Sequence, residues 1–87
     1  MNAAAAGRQP AYRLLITVDK GMQAAMRVLD VLAQRSVMPE TINIEQGPEA
    51  LTITVTVREF AESEAASIAC RLQTLVTTRT VNVTQLP

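Results

Sequence analysis

The residues of this 87-residue chain that could do chemistry are few and scattered. Histidine is absent and Cys70 is the only cysteine, so neither a Ser/His nor a Cys/His pair can activate a nucleophile. A lone cysteine without histidine cannot complete a structural zinc site, and no metal is expected. Cys70 sits between the apolar Ala69 and Leu72 and is expected to be a half-buried small residue. A reactive thiol needs a cation beside it, and the adjacent Arg71 points elsewhere on a helix. The one carboxylate group is Glu59, Glu62 and Glu64. These residues open a helical stretch, where acidic side chains favour the helix dipole. A small hydrolase built on them would lack a converging base or electrophile. Gly21 and Gly47 are isolated and form no phosphate cradle. No catalytic residue and no cofactor are expected.

The elements that would carry any other function must come from one short domain. Nearly half the residues are apolar, yet Tyr12 and Phe60 are the only aromatics, so the core is aliphatic. In a chain this small, buried area roughly cancels ordering entropy. With no disulfide or metal available, association with a second copy is the expected reinforcement. Eight basic and eight acidic residues balance, which leaves no electrostatic footprint for nucleic acid, and base-stacking aromatics are missing. A single cysteine suits a reducing compartment, and the expected location is cytoplasmic. Residues 1–11 are Ala-rich at their start, have no apolar run of signal length and are expected to form a disordered leader to a domain over 12–87. No apolar stretch is long enough to span a membrane.

Within that domain, Tyr12, Leu14, Ile16 and Val18 alternate on one face of a strand. Asp19-Lys20-Gly21 breaks the pattern. From Met22 the period becomes helical, with Met22, Ala25, Met26, Leu29, Leu32 and Ala33 on one stripe, and with Met22 and Met26 expected as core filling. Pro39 stops this helix near Arg35. Ile42 and Ile44 alternate with Asn43 and Glu45 in a second strand, and Gln46 to Glu49 is a turn cluster. Leu51, Ile53, Val55 and Val57 alternate with Thr52, Thr54 and Thr56 in the clearest strand of the chain. A second helix carries Ala61, Ala65, Ile68, Ala69, Leu72, Leu75 and Val76 on its apolar stripe. Val81 and Val83 mark a short last strand.

This order implies an α+β, ferredoxin-like βαββαβ sandwich: a four-stranded antiparallel sheet with two helices on one face. The other face, with Thr17, Asn43, Thr52, Thr54, Thr56, Asn82 and Thr84, is polar and uncharged. In the expected strand order 4-1-3-2 the second strand is an edge. Ile42, Asn43, Ile44 and Glu45, without Lys or Pro, leave that edge free to pair with a second copy as a homodimer.

The runs Leu15 to Gly21 and Val28 to Arg35, the segment Thr41-Ile42-Asn43-Ile44, the Thr-alternating third strand, and Arg71 to Val81 together resemble an ACT domain. As a short, free-standing chain it is most similar to the small subunit of acetolactate synthase, in its single-domain form. That resemblance implies a regulatory role. Such subunits dimerise through side-by-side sheets and activate the large, thiamine-diphosphate-dependent catalytic subunit, and many bind a branched-chain amino acid at the dimer interface. Carried onto this sequence, the effector loops are Asp19 to Gln23, with Lys20, Gly21, Met22 and Gln23, and Ser36 to Glu40, with Ser36, Val37 and Met38. Here the chain has Arg35-Ser36-Val37-Met38 where most relatives carry Arg-Gly-aromatic-Asn. Loss of that Gly and Asn weakens the provision for an effector's ammonium and carboxylate. The alternative reading is a free-standing ACT-type amino-acid sensor acting on another enzyme or a transporter.

Overall fold

The computed structural model describes residues 10–87. The chain runs β1 (Ala11–Asp19), α1 (Met22–Gln34), β2 (Thr41–Gln46), β3 (Ala50–Val57), α2 (Glu62–Gln73) and β4 (Thr78–Leu86). The strands form one antiparallel sheet in the order β2-β3-β1-β4, so the fold is the expected ferredoxin-like sandwich. Residues 1–9 of the expected leader lie outside the described residues. Its last two belong to the folded part: the Pro10 carbonyl accepts the Phe60 N–H at 3.1 Å, and Ala11 opens β1.

The central pair β1 and β3 builds the core by strict alternation. Leu14 faces Val55, Ile16 faces Ile53 and Val18 faces Leu51 in register, and all six side chains are buried. Full burial of each such side chain contributes about 1.5–3 kcal/mol relative to exposure. On the other face, the same register sets Leu15 between Thr54 and Asn82 and Arg13 between Thr56 and Thr84. That face is therefore not wholly uncharged, and Leu15 stands near its centre, 39% exposed.

The helices cover the aliphatic face, but not with all the expected residues. On α1 the buried residues are Ala24, Ala25, Val28, Val31 and Leu32. Met22 and Met26 are exposed at 64% and 56%, so they are not core filling. The stripe containing them lies about 130° round the helix from the buried one at 100° per residue; Ala25 and Leu32 lie on the boundary. On α2, Ala65, Ile68 and Leu72 are buried as expected. The helix ends at Gln73, where the Thr74 N–H and Oγ1 both donate to the Arg71 carbonyl, at 3.1 and 2.6 Å. Val76 therefore lies beyond the helix in the following turn, 97% exposed. Cys70 is exposed and not half-buried, because it sits off the Ala65–Ile68–Leu72 stripe. The last strand is not short. It spans nine residues because it zips along the full length of β1, with one irregularity at Thr17/Val18.

Two turns rest on glycine. Gly21 enters α1 at φ 131°, ψ 147°, a region essentially confined to glycine. A Cβ on Gly47 would stand 3.1 Å from the Ala50 carbonyl, the group that the Gly47 N–H itself bonds at 2.8 Å. The β2–β3 hairpin is thus closed by Gly47, Pro48 and Glu49 alone.

The start of α2 is under-capped. Glu64 Oε1 accepts the Ala61 N–H at 2.9 Å, the return half of a capping box. Ala61, at the N-cap, has no side-chain acceptor for the first-turn N–H groups. Replacing Ala61 by Ser should complete the box and stabilise the chain by about 1 kcal/mol; a rise in the urea midpoint with an unchanged slope is the result to look for.

Candidate functional site

The two loops expected to hold an effector lie at opposite ends of the sandwich. Lys20, Gly21, Met22 and Gln23 are all exposed at the end of β1 that carries the β2–β3 hairpin. The Lys20 Nζ reaches the Pro48 carbonyl at 3.4 Å, and Arg79 Nε donates to Asp19 Oδ1 at 2.9 Å. Ser36, Val37 and Met38 lie beyond the other end of α1. That helix is 13 residues long, about 20 Å at 1.5 Å per residue. One chain therefore does not bring the two sets together.

Around Ser36 two hydrogen bonds fix the backbone. The Ser36 N–H bonds the Ala33 carbonyl at 3.0 Å, and the Val37 N–H bonds the Leu32 carbonyl at 2.9 Å. These are the two bonds of a Schellman motif, with Ser36 in the left-handed position normally given to glycine. Its φ of 56° costs a non-glycine residue about 1–2 kcal/mol. Ser36→Gly is expected to raise stability by roughly 0.5–1 kcal/mol, because glycine's greater unfolded-state freedom offsets part of the relief. Thermal unfolding of the two proteins side by side checks it. Val37 packs on the core, whereas Met38 is 87% exposed. Behind them, the Glu40 N–H bonds the Thr56 carbonyl at 2.7 Å, and Arg58 Nε spans both Glu40 carboxylate oxygens at 2.7 and 2.8 Å.

At this end a cleft of about 210 Å³ opens between the C-terminus of α1 and the first turns of α2. It is lined by Arg35 and Val37 after α1, by Phe60, and by Ser63, Glu64, Ser67 and Ile68 of α2. Arg35 Nη1 donates to Ser67 Oγ at 2.8 Å across it. Of the residues expected in the effector loops only Val37 lines this cleft. Ser63 and Ser67 sit one helical turn apart beside Glu64, a pattern that could have pointed to a polar helix face. Arg35 joins them from 32 positions away.

The carboxylates Glu59, Glu62 and Glu64 do not converge into a reactive group. All three are exposed, Glu64 is engaged in capping, and Glu59 holds φ 60° in the loop before α2. Among the described residues no cluster of three His, Cys, Asp or Glu could hold a metal ion. No helix among them is long and apolar enough to cross a membrane.

Comparison with known proteins agrees with this fold. The ACT-like domain family matches residues 5–87. The chain belongs to that family. ACT-like domains are regulatory and non-catalytic. No curated protein matches the chain. The ACT domain of a GTP pyrophosphokinase from Chlorobium tepidum superposes with TM-score 0.76 at 10% identity, over 88% of this chain and 99% of that one. An uncharacterised protein of Thermotoga maritima gives 0.74 at 16% identity, over 92% and 99%. The regulatory subunit of aspartate kinase from Thermus thermophilus, in ligand-free form, gives 0.66 at 19% identity, over 87% of this chain and 50% of that one. At these identities the likeness is one of fold. The ACT-like sandwich thus has its family assigned by sequence and its architecture matched by solved domains.

Proposed function

We propose that this ACT-like chain is a non-catalytic regulatory subunit that works as a two-fold dimer, and that its partner is the catalytic subunit of acetolactate synthase in branched-chain amino-acid biosynthesis. The observation that carries the dimer is the open edge of β2. All six of its residues are exposed, although Ile42 and Ile44 share the helix-side face with Val55 and Ile53. One step beyond the last register pair, Gln46 and Leu51, the Gly47 N–H bonds the Ala50 carbonyl at 2.8 Å. By the alternation of antiparallel ladders, Ile42 and Ile44 then direct their N–H and C=O groups outward.

The exposed stripe of α1 extends this edge. A right-handed crossover from β1 to β2 sets α1 above the β2 side of the sheet. On a right-handed helix running that way, the flank carrying Met22, Met26, Leu29 and Ala33 faces the β2 edge. Met22, Met26, Ile42 and Ile44 are exposed at 64%, 56%, 42% and 37%. They form an apolar margin that antiparallel pairing with a second β2 would cover. The same two-fold would set the Lys20 to Gln23 loop of one copy beside the Ser36 to Met38 loop of the other. The effector loops that a single chain separates would then meet in the dimer.

The choice of acetolactate synthase rests on the resemblance carried by the Leu15 to Gly21, Val28 to Arg35 and Arg71 to Val81 runs. Co-expression with a tagged acetolactate synthase catalytic chain is its test. Co-purification in fixed ratio is expected, and elution of the catalytic chain alone would reject the partner. The likeness to an aspartate kinase regulatory subunit favours, as the second reading, an amino-acid sensor serving another enzyme. Stabilisation by one amino acid without any affinity for the synthase would select that reading.

A further inference from the structure

We propose that the cleft between the end of α1 and the start of α2 is a binding site within the single chain for a small aliphatic α-amino acid, distinct from the site that the two loops would form in the dimer and sharing only Val37 with it. Opposite charges line the same cleft without pairing. Arg35 and Glu64 both face it, yet the ion pairs among the described residues are Arg58–Glu40 and Arg79–Asp19. Among the described residues the guanidinium holds the Ser67 hydroxyl alone, through Nη1, which leaves further donors for a carboxylate. Glu64 uses Oε1 for the Ala61 N–H, and its second oxygen remains to accept an ammonium. A zwitterion answers both groups at once, whereas a simple anion would leave Glu64 unmatched and a simple cation would leave Arg35 unmatched. The lining is also apolar in part: Ile68 is buried, and Val37 and Phe60 pack on the core. That part suits an aliphatic side chain, since small-molecule sites combine an apolar lining with a few placed polar groups.

Backbone strain marks the same place. The two non-glycine residues with positive φ among those described are Ser36 and Glu59. Each adjoins a residue of the cleft, Ser36 between Arg35 and Val37, and Glu59 next to Phe60. Such conformations persist where the surroundings hold them, and they concentrate at ligand clamps.

The test is a titration of the isotopically labelled chain with L-leucine, followed by amide NMR. Saturable shifts at Val37, Phe60, Ser63, Ser67 and Ile68 are expected. Isoamylamine, which lacks the carboxylate, and 4-methylpentanoate, which lacks the ammonium, should each bind about tenfold more weakly or worse, as should leucine to Arg35→Gln, since a hydrogen bond to a charged group contributes roughly 1.5–3 kcal/mol. Arg35 is exposed, so the variant should keep the native spectrum elsewhere. Three results would overturn the site: no shifts, shifts confined to residues 20–23, or undiminished binding by Arg35→Gln. Affinity for a catalytic chain is read separately by co-purification, so failure here does not reject the regulatory role.

Discussion

Ile16→Ala should bring the fold close to collapse. Ile16 is fully buried on β1, between Ile53 of β3 and Val81 of β4, beneath both helices. Truncating such a side chain loses its transfer energy and leaves a cavity in a densely packed interior, a cost of about 2–5 kcal/mol. A domain of this length has only about 4–13 kcal/mol in total, at roughly 0.05–0.15 kcal/mol per residue. The expected drop in melting temperature is about 8–40 °C, because each kcal/mol moves a domain of this size by roughly 4–8 °C. Val76→Ala is the control. Its side chain is 97% exposed beyond α2, so a shift within about 0.5 kcal/mol is expected. Comparable losses at both positions would contradict the observed division between core and surface.

Ile44→Pro should convert the dimer to a monomer without unfolding it. Proline at position 44 removes an outward donor and an apolar side chain from the β2 edge, while the alternate residues Thr41, Asn43 and Glu45 keep their bonds to β3. Edge strands tolerate proline where the N–H faces away from the sheet. Preceding Asn43 is already extended, as proline requires of its neighbour. Sedimentation should report a two-fold fall in mass, with the circular dichroism of the folded domain retained. A wild-type chain that is already monomeric would reject the dimer, and a variant that still dimerises would move the interface elsewhere. The β4 edge would then be the next candidate.

How much of this was legible in the sequence depended on how each element meets water. Strands β1 and β3 were read correctly because each buries one face and leaves the other open, so alternation survives as a clean pattern. The buried face of α1 was misassigned because only Gln23, Arg27, Asp30 and Gln34 are polar in that helix. Apolar residues fill two stripes, and periodicity alone cannot say which one meets the sheet. Val76 continued the period of α2, but Thr74 had already closed that helix with its own hydroxyl. Strand β2 carried the right alternation and still emerged exposed on both faces, since burial there depends on a partner strand and not on pattern. Candidate site residues suffered most. The loops of the resemblance are separated by the length of α1, and the cleft that does form joins Arg35 to Ser67 through tertiary folding alone.

The regulatory claim is tested most directly by adding this chain in increasing amounts to a purified acetolactate synthase catalytic subunit and measuring the rate of acetolactate formation. The account predicts stimulation that saturates at a fixed ratio of the two chains, with Ile44→Pro falling well short of wild type. A rate unchanged at every ratio would contradict it.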